Sequence, residues 1–168
     1  MKLHGQLIQG YRVDSGLSTR DMRFPQGTLR TQEPFFAALG FSFEEYFGGR
    51  HVWGSLNMDL QTLAYRQKES HWFLKNVNWT PLQPAENFFI TRCSVMFGSN
   101  TYKAVWYNPD PATKPNHFQY PTVIQFIAER IPDIKYGDVF DAEVPDECIE
   151  TWSHDGQRPE DPNLKPWL

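Results

Sequence analysis

Residues 87–107 read NFFITRCSVMFGSNTYKAVWY and carry the strongest strand signal of the chain. Apolar and aromatic side chains fill both halves of this stretch, and Gly98, Ser99 and Asn100 separate the halves. A glycine followed by small polar residues is typical of the tight loop of a β-hairpin. We therefore predict two antiparallel strands, over residues 87–97 and 101–107.

Shorter segments on either side of this hairpin also have β character. Further strands are predicted over residues 3–9, 51–60, 71–79, 122–128 and 139–144. A short helix is predicted over residues 34–40, because Pro34 suits a first turn and Gly40 the position beyond the end. Residues 130–134 are interpreted as one helical turn, and residues 43–49 and 61–69 as connections. Many short strands with Gly and Pro turns predict a mainly β fold, a small barrel or sandwich with one or two short helices.

The length of 168 residues suits one domain. The predicted strands end at residue 144, so residues 1–144 are interpreted as the folded domain. Residues 145–168 are acidic, rich in proline and poor in aliphatic side chains, which is typical of a tail. Trp152 and Trp167 indicate that parts of this tail dock on the domain.

The charge balance argues against nucleic acid as the main partner. There are 16 Lys and Arg residues against 20 Asp and Glu residues, and no basic run. A nucleic-acid surface needs clustered cations. The apolar runs are far shorter than a bilayer span, and the N-terminus has no signal-peptide core, so we expect a cytoplasmic protein without membrane contact.

Cysteine and histidine give no metal signal. Cys93 and Cys148 match no metal-ligand or redox spacing. The isolated histidines form no recognisable ligand set, and each is expected to be exposed or hydrogen-bonded. They are His4, His51, His71 and His154.

Two motifs resemble the archaeal CTP-dependent riboflavin kinases. Residues 54–60 read GSLNMDL, where that family has Gly-Thr-Leu-Asn followed by alternating aliphatic residues, after a helix that ends in Leu-Gly-Phe. Leu39, Gly40 and Phe41 stand upstream at a similar distance. Residues 120–144 also follow the family order of a Pro-containing loop, a strand ending in Ile-Ala, Gly-Asp and a last strand. The resemblance implies a six-stranded cradle-loop barrel.

The chain departs from this family at two places. The glycine-rich Gly-Leu-Gly-Glu-Gly loop that embraces the nucleotide is missing, and residues 10–16 read GYRVDSG instead. Fewer glycines mean less close approach of backbone to phosphates. Gln125 stands where the family often has Glu, and glutamine cannot serve as a general base. The fold is therefore expected to be inherited more readily than the reaction.

The resemblance and the residue chemistry together suggest candidate site residues. A Ser hydroxyl and an Asn carbonyl can hold Mg²⁺ together with phosphate oxygens, and Ser55 and Asn57 correspond to the family's metal-binding Thr and Asn. They lie two residues apart and so share a strand face. The alternative interpretation is a polar turn that satisfies backbone groups.

Ligand-binding residues are expected in two loops. Gly10 and Arg12 stand where the family's nucleotide loop begins, and arginine suits phosphate binding. On the expected flavin side, an aromatic ring can stack on a planar ligand while amides or imidazoles bind its edge. The candidates there are His117, Gln119, Tyr120 and Gln125.

Two functions follow as hypotheses. The first is a Mg²⁺-dependent kinase that uses CTP or ATP to phosphorylate a primary hydroxyl of riboflavin or a related metabolite. Glu129 or Glu86 is considered as its base. The second is a non-catalytic barrel that binds a nucleotide, a flavin or a partner protein, which the altered glycine loop and Gln125 favour. A DNA-binding relative of swapped-hairpin barrels is a third hypothesis, which the acidic charge balance opposes.

Overall fold

A computed structural model describes residues 1–9, 26–114 and 120–155. It contains two α-helices, nine strands and two single 3₁₀ turns in these ranges. The strands are β1 (Lys2–Ile8), β2 (Leu56–Asp59), β3 (Leu63–Gln67), β4 (Trp72–Val77), β5 (Glu86–Phe97), β6 (Asn100–Pro109), β7 (Val123–Ala128), β8 (Val139–Glu143) and β9 (Ile149–Ser153). The helices are α1 (Thr28–Ala38) and α2 (Phe43–Phe47), and the 3₁₀ turns are Pro111–Thr113 and Asp146–Cys148.

Six antiparallel strands close into a barrel. Their order is β5-β6-β7-β2-β1-β8, and β8 pairs back onto β5. The predicted hairpin forms the β5–β6 pair, and Gly98 takes a φ of 61° in its two-residue loop, the left-handed geometry that such loops need. The predicted class, a small mainly β barrel with few helices, is confirmed.

One edge of the long strand β5 pairs with two different strands, while its other edge pairs with β6. Its first half pairs with β4, where Ile90 lies opposite Trp72, and its second half pairs with β8, where Val95 lies opposite Ala142. Twelve residues are long enough for both pairings. Strand β4 therefore extends the sheet outside the closed ring.

Two cores lie on opposite sides of the sheet. The barrel interior holds Leu56, Met58, Trp106 and Phe126 among others. The second core, called the helix-side core below, lies between the two helices and the outer face of the sheet. There Phe36 packs edge-on against Phe88 at a centroid distance of 4.8 Å. A strand such as β7 is buried on both faces, which explains its dense apolar sequence.

Four local predictions are wrong. Helix α1 begins at Thr28, so Pro34 lies inside it and not in its first turn. Residues 43–47 form helix α2, capped by the Ser42 side chain, and residues 63–67 form strand β3. Residues 130–134 form no helix, and Asp133 takes a positive φ of 65° there, which a right-handed helical turn does not allow.

The chain continues in regular structure beyond residue 144. Strand β9 pairs with β3 in a separate two-stranded sheet, with Tyr65 opposite Thr151. Cys148 and Ile149 are buried with the barrel interior. Within the described ranges, no helix has the length and apolar character needed to span a bilayer.

Candidate functional site

Three predicted polar residues meet on the outer face of the barrel. Asn57 of β2 lies opposite Gln125 of β7, and its Oδ1 accepts a hydrogen bond from Gln125 Nε2 at 3.1 Å. Asn57 Nδ2 donates to Ser55 Oγ at 3.4 Å. Leu56 and Met58 point into the barrel, so alternation along the strand turns Asn57 outward. Asn57 is nevertheless only 6% exposed.

This outer-face cluster, Ser55, Asn57 and Gln125, supplies oxygen atoms of the kind that Mg²⁺ prefers. A carbonyl oxygen has two lone pairs, so Asn57 Oδ1 can bind a cation while it still accepts from Gln125. Phosphate oxygens and water would have to complete the shell. In the described ranges, no three His, Cys, Asp or Glu residues lie close enough together to hold a metal ion.

A cavity of about 500 Å³ opens at one end of the barrel. Its walls come from β3, the start of β5, the end of β6, the 3₁₀ turn that follows β6, and the residues before β7. The lining residues are Tyr65, Arg66, Gln67, Phe89, Asn108, Pro109, Asp110, Pro111, Lys114, Tyr120 and Pro121. These segments are distant in sequence, and the barrel closure brings them together.

Backbone contacts at the start of β7 hold the aromatic walls in place. Tyr65 donates its hydroxyl hydrogen to the carbonyl oxygen of Val123, and the Val123 amide donates to the carbonyl oxygen of Tyr120 at 3.0 Å. Tyr65 also packs edge-on against Trp106 with a centroid distance of 5.6 Å. Phe89 stacks on Phe73 at 5.0 Å, outside the barrel ring.

Two cationic side chains line the same cavity. Arg66 is mostly exposed and binds Glu150 through Nε and Nη2, each 2.6 Å from Oε2. Lys114 Nζ lies 4.0 Å from Glu86 Oε1, a carboxylate that is fully buried. The cavity therefore combines aromatic walls with two cationic side chains and one carboxylate, that of Asp110.

The cavity and the outer-face cluster lie on opposite sides of the sheet. Asn108 has the same parity along β6 as Trp106, which fills the barrel, and the β5–β6 register is regular. Gln125 instead shares the outer face with Ile127 of the helix-side core. The structure therefore brings Ser55, Asn57 and Gln125 together and places Tyr120 at a separate location.

Four of the predicted ligand-binding residues lie outside the described residues. They are Gly10, Arg12, His117 and Gln119. Lys114 and Tyr120, the described residues on either side of 115–119, both line the cavity. The sequence interpretation missed Tyr65, Arg66 and Phe89, because an aromatic or basic residue in a strand has no local mark that separates a cavity wall from a core or a surface.

The two candidate bases make structural contacts. Glu129 Oε1 accepts from the Lys103 amide at 3.0 Å, and its Oε2 accepts from Arg50 Nε at 3.3 Å. Glu86 Oε2 accepts from Trp79 Nε1 at 2.7 Å within the helix-side core. Neither carboxylate makes a hydrogen bond to the outer-face cluster in the part of the chain that the structure describes.

His51 differs from the expectation that each histidine is exposed or hydrogen-bonded. It is 8% exposed, and neither ring nitrogen has a hydrogen-bond partner among the described residues. Its ring lies 5.1 Å from that of Phe47 and 4.4 Å from that of Trp53. Burial lowers the pKa of His51 below its ordinary value. The aromatic surroundings of the imidazole therefore favour its neutral form.

Comparison of the chain with models of known protein families and with curated protein sequences gives no match. The geometry of the described residues is therefore what supports a function.

Proposed function

We propose that this protein is a binding barrel whose end cavity holds a flat, phosphorylated small molecule of the nucleotide or flavin kind. The observation that carries the proposal is the cavity of about 500 Å³, with Tyr65, Phe89 and Tyr120 in its walls and Arg66 and Lys114 beside them. Small-molecule sites generally occupy roughly 300–1,000 Å³, with mainly apolar walls and a few placed polar groups.

The aromatic walls fit a planar ring. Aromatic side chains stack on flat heterocycles, and each stacked base contributes about 1–3 kcal/mol in nucleic-acid sites. Tyr65 is held by its hydrogen bond to Val123 and by Trp106, so a ligand would lose little free energy in ordering this ring. Tyr120 was predicted as a stacking residue, and its position in the cavity wall supports that role.

The two cations fit a phosphate group. A phosphate near Arg66 could share the guanidinium group with Glu150, because that group has five N–H donors. Lys114 lies 4.0 Å from the buried Glu86, which holds its ammonium group near the cavity. Asp110, the carboxylate of the described lining, accepts hydrogen bonds from the Ala112 amide and from Asn87 Nδ2.

Thermal unfolding with riboflavin, FMN, CTP and ATP tests the proposal. A ligand at about 100 times its Kd adds about 2.7 kcal/mol to the free energy of unfolding. For a chain of this size, such a gain raises Tm by roughly 5–10 °C. A rise with FMN or a nucleotide supports the cavity, whereas no rise with any of the four contradicts it.

A pair of tyrosine variants locates the binding site. Tyr120→Ala removes a cavity wall, and Tyr136→Ala removes an exposed ring outside the cavity lining. We expect Tyr120→Ala to weaken binding by about fivefold or more, the effect of losing one stacked ring. Equal affinities of the two variants would place the ligand elsewhere.

A kinase resembling the CTP-dependent riboflavin kinases is the second candidate, because Ser55 Oγ and the Asn57 amide, which belong to the predicted Mg²⁺ ligands, lie in hydrogen-bond contact on the outer face. Mg²⁺ there would neutralise phosphate charge, the main requirement of phosphoryl transfer. Donor and acceptor would both have to bind on the outer face, since the cavity lies across the sheet.

Turnover distinguishes this candidate from pure binding. A kinase consumes CTP or ATP only when riboflavin and Mg²⁺ are both present. Asn57→Ala and Ser55→Ala each remove a side-chain oxygen of the cluster, and thermal unfolding checks that both variants fold. Nucleotide consumption that is absent, or that neither change alters, would contradict the kinase function and leave the binding function standing.

A further inference from the structure

The cavity contains a pair of side-chain amides, Gln67 and Asn108, whose orientations are determined by their neighbours. Gln67 Nε2 lies 2.5 Å from the carbonyl oxygen of Glu69 and 3.3 Å from that of Cys148. It also lies 3.0 Å from Thr91 Oγ1. Carbonyl oxygens only accept hydrogen bonds, so the atom that faces them must be the NH₂ group.

The orientation of Gln67 determines that of Asn108. With its NH₂ group held by three oxygens, Gln67 presents Oε1 on its other side, where Asn108 Nδ2 lies at 3.2 Å. An acceptor at this position requires the NH₂ group of Asn108 to point toward it. The flipped arrangement would bring two carbonyl oxygens together, which is unfavourable.

Asn108 consequently has hydrogen-bonding capacity left for a ligand. One of its N–H groups is used by Gln67, and its Oδ1 and second N–H have no partner in the described ranges. Asn108 lines the cavity directly across the strand pair from Phe89. A ring stacked beside Phe89 would therefore present its edge to the Asn108 amide.

We propose that Asn108, oriented by Gln67, selects ligands whose flat ring carries an N–H group beside a carbonyl group. The Asn108 Oδ1 would accept from the ring N–H, and its N–H would donate to the ring carbonyl. Uracil-type bases and the imide edge of a flavin have this pattern. The inference rests on the proposed function, because it assigns specificity to the same cavity.

The structure explains why the amide pair would discriminate strongly. The amide of Gln67 in β3 is held by Thr91 of β5 and by the carbonyl of Cys148 before β9, so turning the Asn108 amide would place its Oδ1 against Gln67 Oε1. A site that hydrogen-bonds a ring N–H rejects an analogue lacking it, since its own acceptor is left without a partner.

Matched ligand pairs test the inference on the full wild-type chain. The probes are riboflavin with 3-methylriboflavin, and uridine monophosphate with its 3-methyl derivative, each titrated by calorimetry. We expect the methylated member of a binding pair to bind at least about tenfold more weakly, because methylation removes the ring N–H. Equal affinity within every pair that binds would overturn the inference but leave the proposed function standing.

Asn108→Ala removes both the Oδ1 acceptor and the amide donor, and it is compared with Asn100→Ala, the same change at the exposed opposite end of β6. Asn108→Ala is expected to reduce the preference for the unmethylated ligand to about twofold or less, because no acceptor is left for the ring N–H, while Asn100→Ala retains the preference. Retention of the full preference in a folded Asn108→Ala protein would overturn the role of Asn108. If neither pair bound the wild type while CTP or ATP did, the inference would be overturned and the proposed function would stand; if none of these ligands bound, the proposed function itself would fail.

Discussion

Replacement of His51 by phenylalanine should stabilise the protein. His51 is 8% exposed, lies between the rings of Phe47 and Trp53, and has no hydrogen-bond partner for either ring nitrogen among the described residues. Phenylalanine retains an aromatic ring of similar size and carries no polar atom. The change therefore removes buried groups that lose their hydration on folding.

The expected gain follows from the cost of buried polar groups. Leaving one such group without a partner costs about 1–3 kcal/mol. The extra carbon of the phenyl ring crowds a packed site, which can cost about 1 kcal/mol or more. The net gain in the free energy of unfolding at neutral pH should then be about 1 kcal/mol.

The gain should increase in acid. Burial lowers the pKa of His51 from its ordinary value of 6.5, Glu44 and Glu33 oppose this by raising the pKa, and Arg30 lowers it. The unfolded chain therefore binds more protons than the native state as the pH falls below 6.5. The contribution of His51 to the free energy of unfolding is therefore largest above pH 6.5. It decreases as the pH falls toward the lower pKa of the native state, by at most about 1.4 kcal/mol per pH unit.

Urea unfolding of both proteins between about pH 5 and about pH 7.5 measures this difference. His51→Gln serves as the control, because glutamine does not titrate but still buries polar atoms. We expect His51→Gln to lack the pH dependence that His51 causes and to be no more stable than the wild type at neutral pH. Parallel stability curves for the wild type and His51→Phe across this range would refute the assignment of a neutral, unpartnered imidazole.

Three further predictions concern the barrel and its helices. Gly5→Ala would place a Cβ atom 2.5 Å from the carbonyl oxygen of Asp59, and the resulting overpacking should cost about 1–3 kcal/mol or more in urea unfolding; an unchanged midpoint would contradict this close approach. Ser42→Ala removes the side-chain cap of α2 and should cost about 1 kcal/mol, whereas Ser42→Thr should retain most of it; equal losses would show that the cap is unimportant. A chain that ends at residue 144 lacks β9 and the buried Ile149, so its free energy of unfolding should be lower than that of a chain ending at residue 155 by at least about 1.5–3 kcal/mol. Equal thermal unfolding of the two chains would show that residues 1–144 suffice for full stability.

The barrel strands were largely predictable from local pattern. Strands β1, β5, β6, β7 and β8 all fall on predicted segments, because each alternates or runs apolar between Gly or Pro turns. Helix α1 was placed too late in the chain, since its N-cap is Gly27, which provides no side-chain cap to recognise. Helix α2 has only five residues, too few for a periodic pattern.

Strand β3 shows how a distant partner overrides local sequence. Its polar residues indicated a connection, yet it forms a regular ladder with β9, whose residues follow it by more than eighty positions. Neither segment is strongly apolar, and the pairing gains stability because Ile149 and the adjoining Cys148 are buried against the barrel. Pattern within a short window does not contain this information.

The sequence by itself determined the β class of the chain and predicted that Ser55 and Asn57 lie close together, although Ser55 precedes strand β2, which begins at Leu56. Tertiary structure alone decided that Gln125 meets Asn57, that Tyr120 lies in a cavity across the sheet, and that His51 is enclosed by aromatic rings. The first two relations depend on the register of strands far apart in sequence, whereas the rings around His51 belong to neighbouring residues that fold back on it. Register is set by how the whole barrel closes around its core, and no local segment specifies it.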